Sequence, residues 1–182
     1  MKDQLLISSA RLMTGILCLL LVTGTGCNLV NSPGEYFDRA ALNTNMLSRF
    51  GSEYFRTYVK YIKGGAGTND FNTCEKYLRN YSIASAERNL KKVQDLYPNE
   101  EAAPLINASV ALHVYVLESY KTDHLAIARM IDKQESPEVI NQAIEALDKK
   151  SYAGFAEKYD KVWEIAGVYA KNNGIKIKEM PF

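Results

Sequence analysis

Two histidines and three cysteines are the whole supply of imidazole and thiol ligands in this 182-residue chain. Zinc sites draw on several Cys and His at short spacing, and di-iron bundles on Glu-x-x-His pairs. Neither pattern occurs, and Cys-x-x-Cys-His for a c-type haem is also missing. His113 and His124 fall on one helical face but about 16 Å apart along the axis, too far to share a metal. His113 sits among Val, Ala and Leu and reads as a core histidine, whereas His124, beside Asp123 near a possible bend, reads as exposed. There is no Gly-x-Ser-x-Gly elbow and no phosphate-cradling glycine loop, since Gly64-Gly65-Ala66-Gly67 has the wrong spacing. No catalytic residue, metal or cofactor is therefore assigned, and a non-enzymatic role is expected. Charge of one sign is lacking as well. The net charge is +1, no five like charges run together, and nucleic acid is not an expected partner. Long apolar runs are the last absence: Leu12 to Val22 is well short of the roughly 20 residues a membrane helix needs.

What is present begins at that run. Lys2 and Arg11 precede it, and Thr23-Gly24-Thr25-Gly26 leads from it to Cys27. A basic start, a short apolar stretch and small residues make a secretory signal. Small residues followed at once by cysteine resemble the lipobox of bacterial lipoproteins. The family usually has an aliphatic residue where Gly24 stands. The resemblance implies cleavage after residue 26 and a lipid (diacylglyceryl and an acyl chain) on Cys27, more than the two chains needed for stable anchoring. Asn28, where an aspartate often marks inner-membrane retention, points to the outer membrane facing the periplasm. Removal of residues 1–26 takes Lys2, Arg11 and Asp3 from 22 basic and 21 acidic side chains and leaves 20 of each. Cys18 goes with the signal, so Cys74 is left without an internal partner. Phe71, Cys74, Leu78 and Tyr81 share a helical face, which predicts a buried thiol.

The remainder reads as one domain. Residues 27–34 form a lipidated tether ending at Pro33-Gly34, residues 35–174 a helical domain, and residues 175–182 a tail. The spacing of Leu42, Met46, Phe50, Tyr54, Tyr58 and Ile62 predicts a helix over 36–63, weakened in its middle by Gly51. A second helix capped by Thr68, Asn69 or Asp70 extends to Tyr97 before Pro98. A third, from Ala102 to about Ile131 with Pro104 in its first turn, is apolar on most sides and should be central. Ser136-Pro137-Glu138 is a strong start for the last, which ends at Asn172-Asn173-Gly174 and is either continuous or bent near Ser151–Gly154. The expected fold is all-α, an antiparallel up-down bundle of four long helices. No second copy supports a 34-residue helical repeat.

Tyrosine is over-represented, with 12 residues, all beyond Cys27. Tyr54, Tyr58, Tyr61 and Trp163 are the candidate interaction surface, because aromatic rings with polar tips suit interfaces; the same rings suit a core edge, and exposure separates the two. A lipobox, a brief tether and a Tyr- and Lys-rich helical domain resemble the YiiG-like helical lipoproteins of Gram-negative envelopes. That resemblance implies an envelope address and transfers no functional residue. The expected role is a lipid-anchored protein that binds an envelope partner, as assembly or immunity factors do. The alternative is a binder of a small apolar ligand, in a pocket near Val110 to Leu117.

Overall fold

The computed structural model describes residues 31–63 and 72–177. The lipidation candidate Cys27, the caps proposed at residues 68–70 and the end of the tail lie outside the described residues. Among those described the fold is all-α, without a strand, and no helix is long and apolar enough to cross a membrane.

Helix α1 (Pro33–Ala40) begins inside the stretch expected to be tether. Ser32 accepts from the Glu35 amide at 3.2 Å, and Glu35 accepts from the Ser32 amide at 3.1 Å, a reciprocal capping box with proline in the first turn. The expected 36–63 helix is not one helix. After α1 comes a tight 3-10 turn (Leu42–Leu47), then a break, then α2 (Ser52–Lys63). The break is Gly51, whose φ of +65° is left-handed. It stops one helix and starts another rather than weakening a single one. The four-residue stripe consequently loses phase: Leu42 is exposed while Leu47 and Phe50 are fully buried.

Helix α3 is one run in three parts: Cys74–Tyr77, a π-helical segment Leu78–Ile83, and Ala84–Gln94. Its cap is Thr73, later than expected, and a carboxylate from another helix completes it. Asp132 accepts from the Cys74 and Glu75 amides at 2.7 and 2.9 Å. Helix α4 is Ala103–Ser119, a second π-helical segment Tyr120–His124, and Leu125–Asp132. Helix α5 runs unbroken from Pro137 to Asn172, about 54 Å at the α-helical rise. Ser136 caps it, as its sequence predicted, and Gly174 ends it with φ +65°, the Ile175 amide reaching back to the Ala170 carbonyl at 2.9 Å.

Helix α4 is the central element, packed on α3, α5 and α1. It runs antiparallel to α3, as the Lys121–Glu87 ion pair and the Asp132 cap require, and meets α5 through Tyr115 to the Ser151 carbonyl and Lys150 to Asp123. Helix α1 closes the opposite end of the fold: the Tyr36 hydroxyl donates to the Tyr97 carbonyl, and its ring meets Tyr169 edge-on. Cys74 is fully buried, as its neighbours predicted, and burial pushes its thiol pKa well up.

Candidate functional site

Two concave features and one buried polar latch meet around α2. The latch ties the start of α2 to the core. Phe50 stacks on Phe155 with centroids 4.6 Å apart, and His124 lies 4.8 Å from Phe50 and 4.9 Å from Tyr120. His124 is wholly buried, contrary to the exposed position expected from Asp123. The π-helical widening turns Tyr120 and His124 inward together. The Gly51 amide donates to His124 Nε2 at 3.2 Å. An amide can only donate, so Nε2 accepts, Nδ1 carries the proton, and Nδ1 faces the Ser119 hydroxyl at 3.0 Å. Burial is the main reason that the pKa of His124 falls to about 4. One residue on, the Ser52 amide donates to Asp148 on α5 at 2.9 Å and caps α2 from another helix. A side chain at Gly51 would collide with the same carboxylate. His113 is the core histidine predicted for it: fully buried, its Nδ1 2.8 Å from the Ser109 carbonyl.

The first concave feature is a polar cavity of about 250 Å³ on the α3 side of α2. Tyr54 and Tyr58 of α2, Ser82 of the first π segment and Tyr120 of the second all face it, with Arg49 at the mouth. Tyr77 is the hub of the rings, with centroids 5.5 Å from Tyr58, 5.3 Å from Tyr61 and 5.3 Å from Tyr81. The Tyr54 and Ser82 hydroxyls lie 3.1 Å apart. Burial raises the pKa of Tyr54, Tyr58, Tyr77 and Tyr120, so these phenols stay neutral; Arg49 pulls Tyr77 the other way, which puts its positive charge near that ring.

The second is an apolar groove of about 600 Å³ on the α5 side of α2. Phe55 and Val59 form one wall, Ile140 and Ile144 the other, and Ile131 the floor, with Arg56 and Glu145 along the rim. Both walls follow i, i+4 spacing and run about one turn each. The first turns of α5 project beyond most of their packing, leaving Val139 and Val59 exposed and Ile140, Ala143 and Ile144 half-buried. None of the residues 110–117 lines this groove. Leu112, Val116 and Leu117 are packed into the core.

The tyrosines singled out by sequence divide. Tyr54 and Tyr58 are buried and line the polar cavity, so they do not form an open aromatic face. Tyr61 is half-buried against Tyr77. Trp163 is half-buried on α5 beside Tyr159, away from the other three. Arg49, Ser82 and Tyr120 were not legible as partners of Tyr54, because they come from three further parts of the chain with no shared spacing. Among the described residues no group of three or more Cys, His, Asp and Glu gathers as a metal site would. Comparison with protein-family models, curated proteins and solved structures gives no match.

Proposed function

We propose that this chain is a lipoprotein of the bacterial cell envelope, held by lipid on Cys27 at the outer membrane and facing the periplasm. Its role is to bind an envelope protein without catalysis. The helices form an up-down four-helix bundle in which α2, with the turn and α1 before it, stands for the first long helix. The antiparallel contacts of α4 with α3 and its packing on α5 favour this arrangement.

The observation that carries the binding role is the groove between α2 and α5. Its occupant is an amphipathic helix of the partner. Two facing rows at i, i+4 spacing, open along their length and bounded by one cation and one anion, are what a helix needs to lie in a groove with a fixed direction. The projecting start of α5 supplies apolar surface that its own fold does not cover.

A photo-crosslinking amino acid at Val59, in intact cells, tests this. The expected result is an adduct of one defined mass that disappears when Ile140→Glu places a charge on the opposite wall, with the thermal unfolding of I140E close to the parent. A probe at Val168, which is 60% exposed on the far part of α5, should give no such adduct. The same adduct from Val168, or its persistence in I140E, contradicts the proposal. The second reading, a small apolar ligand, is favoured by the groove volume, which falls within the roughly 300–1,000 Å³ of ligand pockets. Mass spectrometry of an organic extract of the purified protein would then show a stoichiometric compound that I140E lacks.

A further inference from the structure

The polar cavity on the other side of α2 has no part in that proposal, and its construction differs in kind. The groove walls are apolar, whereas this cavity is lined chiefly by residues that carry phenol and alcohol groups. Tyr54, Tyr58, Ser82 and Tyr120 are all buried residues that line one concavity, with the Tyr54 and Ser82 hydroxyls 3.1 Å apart and the Tyr120 hydroxyl donating to the Arg49 carbonyl at 3.4 Å. Two of the four come from π-helical segments, on α3 and α4, that pack against each other. π-Helical turns disturb the regular ladder and cost stability, and they concentrate where a helix must present a side chain to a ligand. Two of them meeting at one polar cavity is difficult to account for by packing alone.

We infer that this cavity binds a single pyranose-type sugar carrying one carboxylate, its hydroxyls on the phenols and Ser82, and its charge on Arg49. Three features select that class. The size of about 250 Å³ lies below the range for drug-sized ligands and suits one ring. A dense set of neutral hydroxyls rewards a ligand that is itself polyhydroxylated. The only charge at the lining is positive. Arg49 has no ion-pair partner among the described residues, and no carboxylate lines the cavity. An aromatic cage for a quaternary ammonium would need the reverse, rings without a resident cation. A guanidinium at a cavity mouth instead pairs with a carboxylate through two parallel hydrogen bonds. This inference is independent of the α2/α5 groove.

Isothermal titration of the full-length chain, in a detergent with no sugar headgroup, tests it with glucuronate, glucose and choline as probes. Glucuronate is expected to bind at least ~10-fold more tightly than glucose, as a charge-assisted hydrogen bond predicts. Arg49→Gln should abolish that preference without altering thermal unfolding, because Arg49 is exposed and caps nothing. Tyr58→Phe keeps the ring against Tyr77 and removes the hydroxyl; it should weaken glucuronate and glucose alike by ~3- to 10-fold. The inference is overturned if glucuronate binds no better than glucose, if choline binds best, or if R49Q keeps the preference for the acid.

Discussion

His124 is a base held in its neutral form from both sides of the ring. Nε2 is occupied by the Gly51 amide, which a protonated nitrogen would repel, and Nδ1 already gives its hydrogen to Ser119. The groups around it do not compensate a positive charge. Tyr54 and Tyr120 are neutral, and Asp123 and Asp148 favour the charged form less than burial opposes it. With the folded pKa lowered to about 4 from 6.5, the unfolded chain takes up a proton first. Stability is therefore complete above about pH 6.5 and is lost as the pH falls towards 4, by about 3 kcal/mol from this residue. Burial lowers the pKa of His113 in the same direction and adds to the slope. Denaturant unfolding between pH 7 and pH 4 checks this. His124→Leu should be less stable than the parent at pH 7 but distinctly flatter across the window, and an unchanged slope would show that His124 is not the group responsible. Sequence spacing alone could not place this residue. Asp123 beside it argued for solvent, and the π segment that turns it inward has no signature in composition or period.

The helices were largely legible because their ends carry local chemistry. Ser136-Pro137 and Gly174 mark α5, and Pro104 sits in the first turn of α4, where the missing amide costs little. What failed was the first long helix. Its apolar residues keep period four across Gly51, and only the tertiary capture of the Gly51 and Ser52 amides by His124 and Asp148 decides that the glycine is a break. The Asp132 cap on α3 was hidden for the same reason, since its acceptor lies 58 residues from Cys74. At the end of α4 the fold uses a residue poorly suited to its backbone. Gln134 has φ +57° and stands where helices favour glycine, with the Glu135 amide returning to the Met130 carbonyl at 3.1 Å. Gln134→Gly removes the left-handed penalty on an exposed site and is expected to raise stability by about 1 kcal/mol. The midpoint of thermal unfolding should rise by a few degrees; a fall would mean that the Gln134 side chain contributes more than its backbone costs.

For the molecule as a whole, α2 is the organising piece. It is joined to the core by His124 and Asp148, and it divides the surface into an apolar groove against α5 and a hydroxyl-lined cavity against α3. The tyrosine enrichment pointed to the second without revealing its shape, because an open aromatic face and a buried ring cluster have the same sequence spacing. The groove was not legible: the apolar pocket expected from sequence lay near Val110 to Leu117, because nothing in the spacing of Phe55 and Val59 shows that Ile140 and Ile144 come to face them. Both features gain their proposed meaning from the proposed address, a lipid on Cys27 that would hold the helical domain at a membrane surface. That address is the central claim. Its direct test is membrane fractionation with metabolic palmitate labelling of the parent and Cys27→Ser chains, the helical content of each followed by circular dichroism. The account predicts a labelled, membrane-bound parent and an unlabelled C27S chain that leaves the membrane fraction with its helical content intact. A C27S chain that is still labelled, or that stays with the membrane like the parent, would contradict it.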